Sequence, residues 1–96
     1  MSLIILAEKV GSLEVITYLV ACPVSGEALL VDPGGPAPAL AARLSREGWR
    51  LRYIVNTHGH ADHIAGNDFW AESTGAPVHS PRTPSRTMVF VVRMAV

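Results

Sequence analysis

Three of the four histidines in this chain lie within six consecutive positions, together with an aspartate, in the segment His58-Gly59-His60-Ala61-Asp62-His63. The preceding residues, Leu51 to Asn56, are rich in β-forming side chains and predict a strand. Residues from about Asp62 to Thr74 predict a helix, because Gly75 and Pro77 follow as stop signals. The fold must therefore place a strand, a tight turn and a helix around one cluster of ligand-type side chains.

Imidazole and carboxylate groups are ligands that zinc and iron accept. A turn from strand to helix directs His58 and His60 to one side, while Asp62 and His63 enter from the helix start. Gly66 removes a Cβ where the helix passes near the site. The segment can thus supply ligands to two adjacent metals, an arrangement suited to hydrolysis. The alternative is that Asp62 only caps the helix and that the histidines are polar loop residues.

The rest of the chain predicts an α/β fold. Strands are expected at Leu3–Val10, Leu13–Cys22 and Glu27–Val31, with turn residues between them. From Pro36 to Gly48, apolar residues four apart predict an amphipathic helix. We therefore expect an antiparallel sheet with two helices on one face.

Composition narrows the classes of partner and compartment. The 96 residues carry 8 Lys and Arg against 8 Asp and Glu, so there is no basic excess to favour a nucleic acid partner. The apolar stretch Leu3 to Ala7 is too short for a signal peptide core or a membrane span. A cytoplasmic chain without a membrane partner is expected. The single Cys22 fits a buried thiol better than a nucleophile.

The motif His-x-His-x-Asp-His, with Thr17-Tyr18-Leu19-Val20 and Leu29-Leu30-Val31-Asp32-Pro33-Gly34 upstream, resembles the metallo-β-lactamase-fold hydrolases. Within that family the chain is similar to a broad set of enzymes, first among them hydrolases of the glyoxalase II type. The set also includes other thioesterases, lactonases, persulfide dioxygenases and RNA-processing nucleases, and the neutral charge disfavours the nucleases. The resemblance covers roughly residues 1–79, the N-terminal half of the family domain. It implies half of an αββα sandwich and a small ester, thioester or lactone as substrate.

The resemblance also implies a role for each residue of the motif. His58 and His60 would bind the first metal and Asp62 and His63 the second, with Asp62 also counted as catalytic. Zinc is the expected metal, and iron or manganese would suit the same ligands. Metal-bound hydroxide would attack the substrate carbonyl. Asp32 would brace the loop from behind the ligands, or it is only a turn residue before Pro33-Gly34.

The family pattern stops after His63. The family adds a later His, a bridging Asp and a last His, but only His79 follows here and the last carboxylate is Glu72. The chain alone is therefore expected to be weak or inactive as an enzyme. His79 is either an ordinary residue at a strand end or a substitute ligand.

Residues 80–96 form an atypical tail, with an apolar run from Met88 to Val92. The tail indicates a chain cut short or altered in reading frame near Ser80. The alternative for the tail is an edge strand against residues 3–22.

Two other function classes follow from the same residues. A non-catalytic metal-binding or interaction module would self-associate, because the missing half would leave the apolar faces of Leu30, Ile54 and Phe69 under-covered. A serine or cysteine hydrolase using His58 or His63 as base is disfavoured, because the sequence holds no Gly-x-Ser-x-Gly motif.

Overall fold

The structure is a computed structural model that describes residues 3–11, 14–57 and 66–79. The histidine-rich segment 58–65 and the tail 80–96 lie outside these described residues. The predicted division of the chain at residues 79 and 80 therefore stays a prediction, as does the edge strand suggested for the tail.

The first half of the described chain is an antiparallel meander. Its strands are β1 (Ile4–Val10), β2 (Val15–Cys22) and β3 (Glu27–Val31). Side chains along β2 alternate between buried and exposed, which is the pattern of a strand with one covered face. A turn over residues 23–26 joins β2 to β3 and ends at Gly26, whose φ of 73° suits a residue without a Cβ.

The second half contains two strand–helix–strand crossovers. Its elements are α1 (Pro38–Glu47), β4 (Arg50–Val55), α2 (Asn67–Thr74) and β5 (Val78–His79). The sheet order is β1-β2-β3-β4-β5, and β4 and β5 run parallel to β3. The predicted α/β class is confirmed, but the expectation of an antiparallel sheet is wrong for β4 and β5. A helix between consecutive strands returns the chain to its starting edge, so the next strand runs parallel.

Both helices cover the same face of the sheet, as predicted. Leu40 of α1 and Trp70 of α2 belong to one buried cluster with strand residues. The strand members of this cluster are Val10, Leu19, Ala21, Ala28, Leu30, Leu51 and Ile54. Leu44 and Trp49 pack against it as partly buried residues. Trp70 is buried in the core, whereas Trp49 lies at its border.

The face of the sheet without helices carries exposed apolar side chains. Ile5 is 64% exposed, Ile16 is 42% exposed and Tyr18 is 39% exposed. Leu30 and Ile54, which we expected to be under-covered, are fully buried because they face the helices. The under-covered surface therefore lies on the other side of β1 and β2.

The helix ends follow the sequence signals in part. Pro38 occupies the first turn of α1, and Gly48 ends it with a φ of 69°. For the second helix, the predicted start near Asp62 lies outside the described residues, and α2 begins at Asn67. Phe69, which was expected to be under-covered together with Leu30 and Ile54, is indeed 46% exposed. Trp70 takes the core position because successive helix residues point about 100° apart.

Candidate metal centre

The predicted metal ligands His58, His60, Asp62 and His63 all lie outside the described residues. Two described residues flank them: Thr57, two positions after β4, and Gly66, directly before α2. Among the described residues, no group of three or more His, Cys, Asp or Glu side chains is placed to hold a metal ion. The ligand assignments therefore stay predictions, and the structure describes what holds the flanks.

Asp32 holds the first flank. It follows β3 and is 7% exposed, and its backbone N–H donates to the carbonyl of Val55 at 2.8 Å. Its carboxylate accepts two hydrogen bonds from Thr57, one from the backbone N–H at 2.8 Å and one from the hydroxyl at 2.6 Å. A charged acceptor makes such bonds stronger than neutral ones. The residue directly before His58 is thus fixed to the β3–α1 loop.

The same loop holds the second flank. The backbone N–H of Gly66 donates to the carbonyl of Pro33 at 2.7 Å. A Cβ on Gly66 would lie 2.5 Å from the carbonyl oxygen of Gly35, closer than real Cβ atoms approach. The indole N–H of Trp70 donates to that same oxygen at 3.0 Å. Gly66 was expected to omit a Cβ where the helix passes near the site. The structure shows its close approach to Pro33 and Gly35, and the approach to the site itself stays a prediction.

This anchoring fits a bound metal. The carboxylate of Asp32 and the carbonyl of Pro33 belong to adjacent residues, so Thr57 and Gly66 return to nearly the same place. Both described flanks of the histidine-rich segment are therefore held by one loop, and holding the ends of a segment lowers the conformational entropy that it loses when its side chains converge on an ion. Its donor set of three imidazoles and one carboxylate is one that zinc accepts.

His79 lies at the same edge of the sheet. Its partner in the register is Val55, and its carbonyl accepts a hydrogen bond from the backbone N–H of Asn56 at 2.8 Å. The imidazole is exposed, with its ring centre 5.7 Å from that of Tyr53. The ring contact agrees with an ordinary residue at a strand end, and the role of a substitute ligand stays a prediction.

Cys22 lies at the opposite end of the sheet from Thr57. It is fully buried, as the sequence predicted. A hydrogen bond with the Ser25 side chain, and to a smaller extent one with the Ser25 backbone, lowers the pKa of the Cys22 thiol. No sequence pattern marks Ser25 as a partner of Cys22, so this contact is one that only the fold reveals. Burial keeps this thiol away from any substrate.

The comparisons with known proteins agree with the fold. Residues 12–88 match the family model of the metallo-beta-lactamase superfamily, and the chain therefore belongs to this superfamily. The BLEG-1 B3 metallo-beta-lactamase superposes with a TM-score of 0.69 at 32% identity, covering 78% of this chain and 35% of that one. A metallo-beta-lactamase from Staphylococcus aureus shares the fold with a TM-score of 0.68 at 22% identity, covering 85% of this chain and 24% of that one. The predicted fold family is confirmed.

Several curated relatives that match this chain are hydroxyacylglutathione hydrolases. The hydroxyacylglutathione hydrolase of Nitrosococcus oceani is 51% identical over 51 residues, which is 53% of this chain and 19% of the relative. That of Anaeromyxobacter dehalogenans is 50% identical over 62 residues, which is 65% of this chain and 23% of the relative. The matched part thus spans about a fifth to a quarter of these relatives. At the level of the family, these matches support a metal-dependent hydrolase.

No helix within the described residues is long and apolar enough to cross a membrane.

Proposed function

We propose that this chain carries the metal-binding segment of a hydrolase that cleaves small thioesters, with esters and lactones as related substrates. His58 and His60 hold one metal, and Asp62 and His63 hold a second. Zinc is the proposed metal, and iron or manganese suits the same ligands. The thioester class is suggested by the relatives named hydroxyacylglutathione hydrolase.

The observation that carries the proposal is the fixing of both flanks to one loop. Thr57 is bound by the carboxylate of Asp32, and Gly66 is bound by the carbonyl of Pro33. A segment held at both ends binds an ion with less ordering cost than a free one, which is a form of preorganisation.

The chain's own residues have a limited part in the chemistry. A bound metal supplies Lewis-acid activation of water and of the substrate carbonyl. The protein holds the ligands, and Asp32 orients the segment through Thr57 without touching the substrate. The sequence holds no carboxylate after Glu72, so these 96 residues lack the bridging aspartate of the family. We therefore expect metal binding by this chain and little or no turnover.

Metal content tests the proposal. We expect near-stoichiometric zinc, iron or manganese in gently purified protein by elemental analysis, and its loss in His58→Ala. Glu72→Ala is the control, because Glu72 is exposed on α2 and is not a proposed ligand. Loss of metal in His79→Ala would instead show that His79 is a substitute ligand. Equal metal content in the wild type and His58→Ala would contradict the proposed ligand set. Hydrolysis of a hydroxyacylglutathione thioester that persists without metal would contradict the proposed reaction class.

The proposal includes a cytoplasmic location and no nucleic acid partner. The single cysteine and the absence of net charge support these two parts. Binding of duplex DNA or RNA at physiological salt would contradict the second.

A second candidate function is a non-catalytic interaction module. The exposed apolar side chains of Ile5, Ile16 and Tyr18 on the uncovered face of the sheet favour it, because such patches promote association. We expect Ile5→Thr with Ile16→Thr to weaken self-association in sedimentation equilibrium. Val24→Thr is the control, since Val24 is an equally exposed apolar residue in a turn. A strictly monomeric wild type at high concentration would contradict this candidate.

A further inference from the structure

Thr17 makes two hydrogen bonds to a distant loop. It lies in the middle of β2 on the helix-covered face, and its side chain is fully buried. Its hydroxyl donates to the carbonyl of Asp32 at 2.8 Å and accepts from the backbone N–H of Gly34 at 3.2 Å. A buried hydroxyl needs such partners, because leaving it unpaired costs about 1–3 kcal/mol.

These two bonds fall on either side of Pro33. Asp32 before it has a φ of 52°, a left-handed backbone that side chains with a Cβ adopt at a cost. Surrounding contacts must hold a residue in that conformation. Thr17 binds the carbonyl of that residue and the amide two positions later, so it fixes the loop across its strained point.

The loop that Thr17 fixes is the loop that anchors the histidine-rich segment. The Asp32 carboxylate binds Thr57, and the Pro33 carbonyl binds Gly66. A rotation of the backbone at Asp32 would move both the Asp32 carboxylate, which binds Thr57, and the Pro33 carbonyl, which binds Gly66. Both flanks of the segment therefore depend on one backbone conformation.

We propose that Thr17 is a positioning residue for the segment between Thr57 and Gly66. Its hydroxyl sets the conformation of Asp32 to Gly34, and that conformation sets where the segment begins and ends. Thr17 is not itself a proposed ligand, and it acts through its hydrogen bonds to Asp32 and Gly34. The consequence for metal binding rests on the proposed function, whereas the consequence for the two flanks does not.

Amide hydrogen exchange in the metal-free chain tests the positioning. The variant Thr17→Val keeps the shape of the side chain and removes the hydroxyl. We expect it to speed exchange at Thr57 and Gly66 by about tenfold, because the loop would hold each amide less firmly by about the free energy of one modest hydrogen bond. Asn56 is the internal reference, because its amide is bound to the carbonyl of His79 and not to the loop. Thr17→Ser keeps the hydroxyl and should restore exchange close to the wild type.

A merely structural role gives a different result. If Thr17→Val speeds exchange equally at Asn56, Thr57 and Gly66, or at neither flank, the proposal is wrong. Thr17→Ala removes the same bonds without placing a methyl group against polar atoms. It is the second variant if Thr17→Val does not fold, with the same expected pattern.

Zinc affinity separates this inference from the proposed function. We expect Thr17→Val to bind zinc about tenfold more weakly, in the range seen when residues behind metal ligands are changed. Leu44→Ala, a half-buried change on α1 away from the loop, is the control for lost stability. Equal zinc affinities of Thr17→Val and the wild type would overturn the metal consequence. A wild type that binds no zinc would overturn the proposed function, and the exchange pattern would still decide the role of Thr17.

Discussion

Glu8 on β1 closes the N-terminus of α1 by accepting a hydrogen bond from the backbone N–H of Leu40 on its Oε1 at 3.1 Å. The N-cap residue of this helix is Ala37, which has no side-chain acceptor. A carboxylate from another strand therefore does what a serine or aspartate does at most helix starts. Its charge also lies near the positive end of the helix dipole.

Removal of this cap should destabilise the fold. We expect Glu8→Ala to lower the free energy of unfolding by about 1 kcal/mol in urea denaturation, and Glu8→Gln to lower it less because an acceptor remains. Glu14→Ala is the control, because Glu14 forms an exposed ion pair with Lys9 that is worth little. Equal losses in Glu8→Ala and Glu14→Ala would show that the cap has no stabilising effect.

A second prediction concerns the two hydrogen bonds that the Asp32 carboxylate accepts from Thr57. We expect Asp32→Asn to lower the free energy of unfolding by about 1–3 kcal/mol, because an amide offers one acceptor to the two donors of Thr57. Asparagine tolerates the left-handed backbone at this position, so the variant isolates the lost hydrogen bond from backbone strain. Chemical denaturation and a zinc titration measure the two effects.

Two changes at the other end of this contact serve as controls. Thr57→Ser keeps both donors and should resemble the wild type in stability and zinc affinity. Thr57→Val removes the hydroxyl and should lose part of what Asp32→Asn loses. Zinc binding that is unchanged in both Asp32→Asn and Thr57→Val would show that the ligand segment does not depend on this anchor.

The sequence predicted the elements well because their signals are local. The four-residue spacing of Leu40 and Leu44 and the stop at Gly48 predict α1, and all three take the expected positions. The predicted antiparallel directions of β4 and β5 were wrong, although the sequence contained a signal for parallel strands. A predicted helix between two predicted strands indicates a parallel pair, and the antiparallel opening of the chain was extended past its end.

In the candidate site, too, the local features were predictable from the sequence and the long-range contacts were not. The histidine-rich segment is visible because its side chains are adjacent in sequence. The bonds of Thr17 to Asp32 and of Glu8 to Leu40 join residues 15 and 32 positions apart, and no local pattern marks them. The neighbouring aromatic residues Phe69 and Trp70 are a third case that the sequence alone does not decide. Only the rotation of α2 on the sheet decides that Trp70 is buried and Phe69 is not.

Cys22 provides a prediction on pH. Hydrogen bonds with Ser25 lower the pKa of its thiol in the folded chain. A lowered folded-state pKa contributes stability above the unfolded pKa, and this is lost as the pH falls through the folded pKa. Ser25→Ala should raise the pKa of Cys22, so the variant should fall further behind the wild type in alkaline than in neutral solution.

Urea denaturation under reducing conditions at the two pH values measures this difference. Ser25 also accepts a hydrogen bond from the backbone N–H of Glu27 at 3.3 Å, and its loss should be the same at both pH values. Ser45→Ala on α1 is the control and should show no dependence on pH. A constant deficit for Ser25→Ala would mean that this hydroxyl does not stabilise the thiolate.

Gly66 tests whether the second flank of the segment needs its close approach. Its φ of −94° is open to any residue, so an added methyl group acts only through space. That group would lie 2.5 Å from the carbonyl oxygen of Gly35 and 2.8 Å from that of Pro33, and backbone atoms cannot move aside as a flexible side chain can. We expect Gly66→Ala to lower the free energy of unfolding by about 1–3 kcal/mol and to weaken zinc binding.

Gly48→Ala is the matched control, because Gly48 has a φ of 69° and nothing within 4 Å of an added Cβ. It should lose about 1 kcal/mol from backbone strain alone and keep its zinc affinity, since it lies at the far end of α1. Denaturation curves and zinc titrations of the two variants decide the matter. If Gly66→Ala binds zinc as tightly as Gly48→Ala, the contact between Gly66 and the β3–α1 loop supports only the fold and not the metal segment.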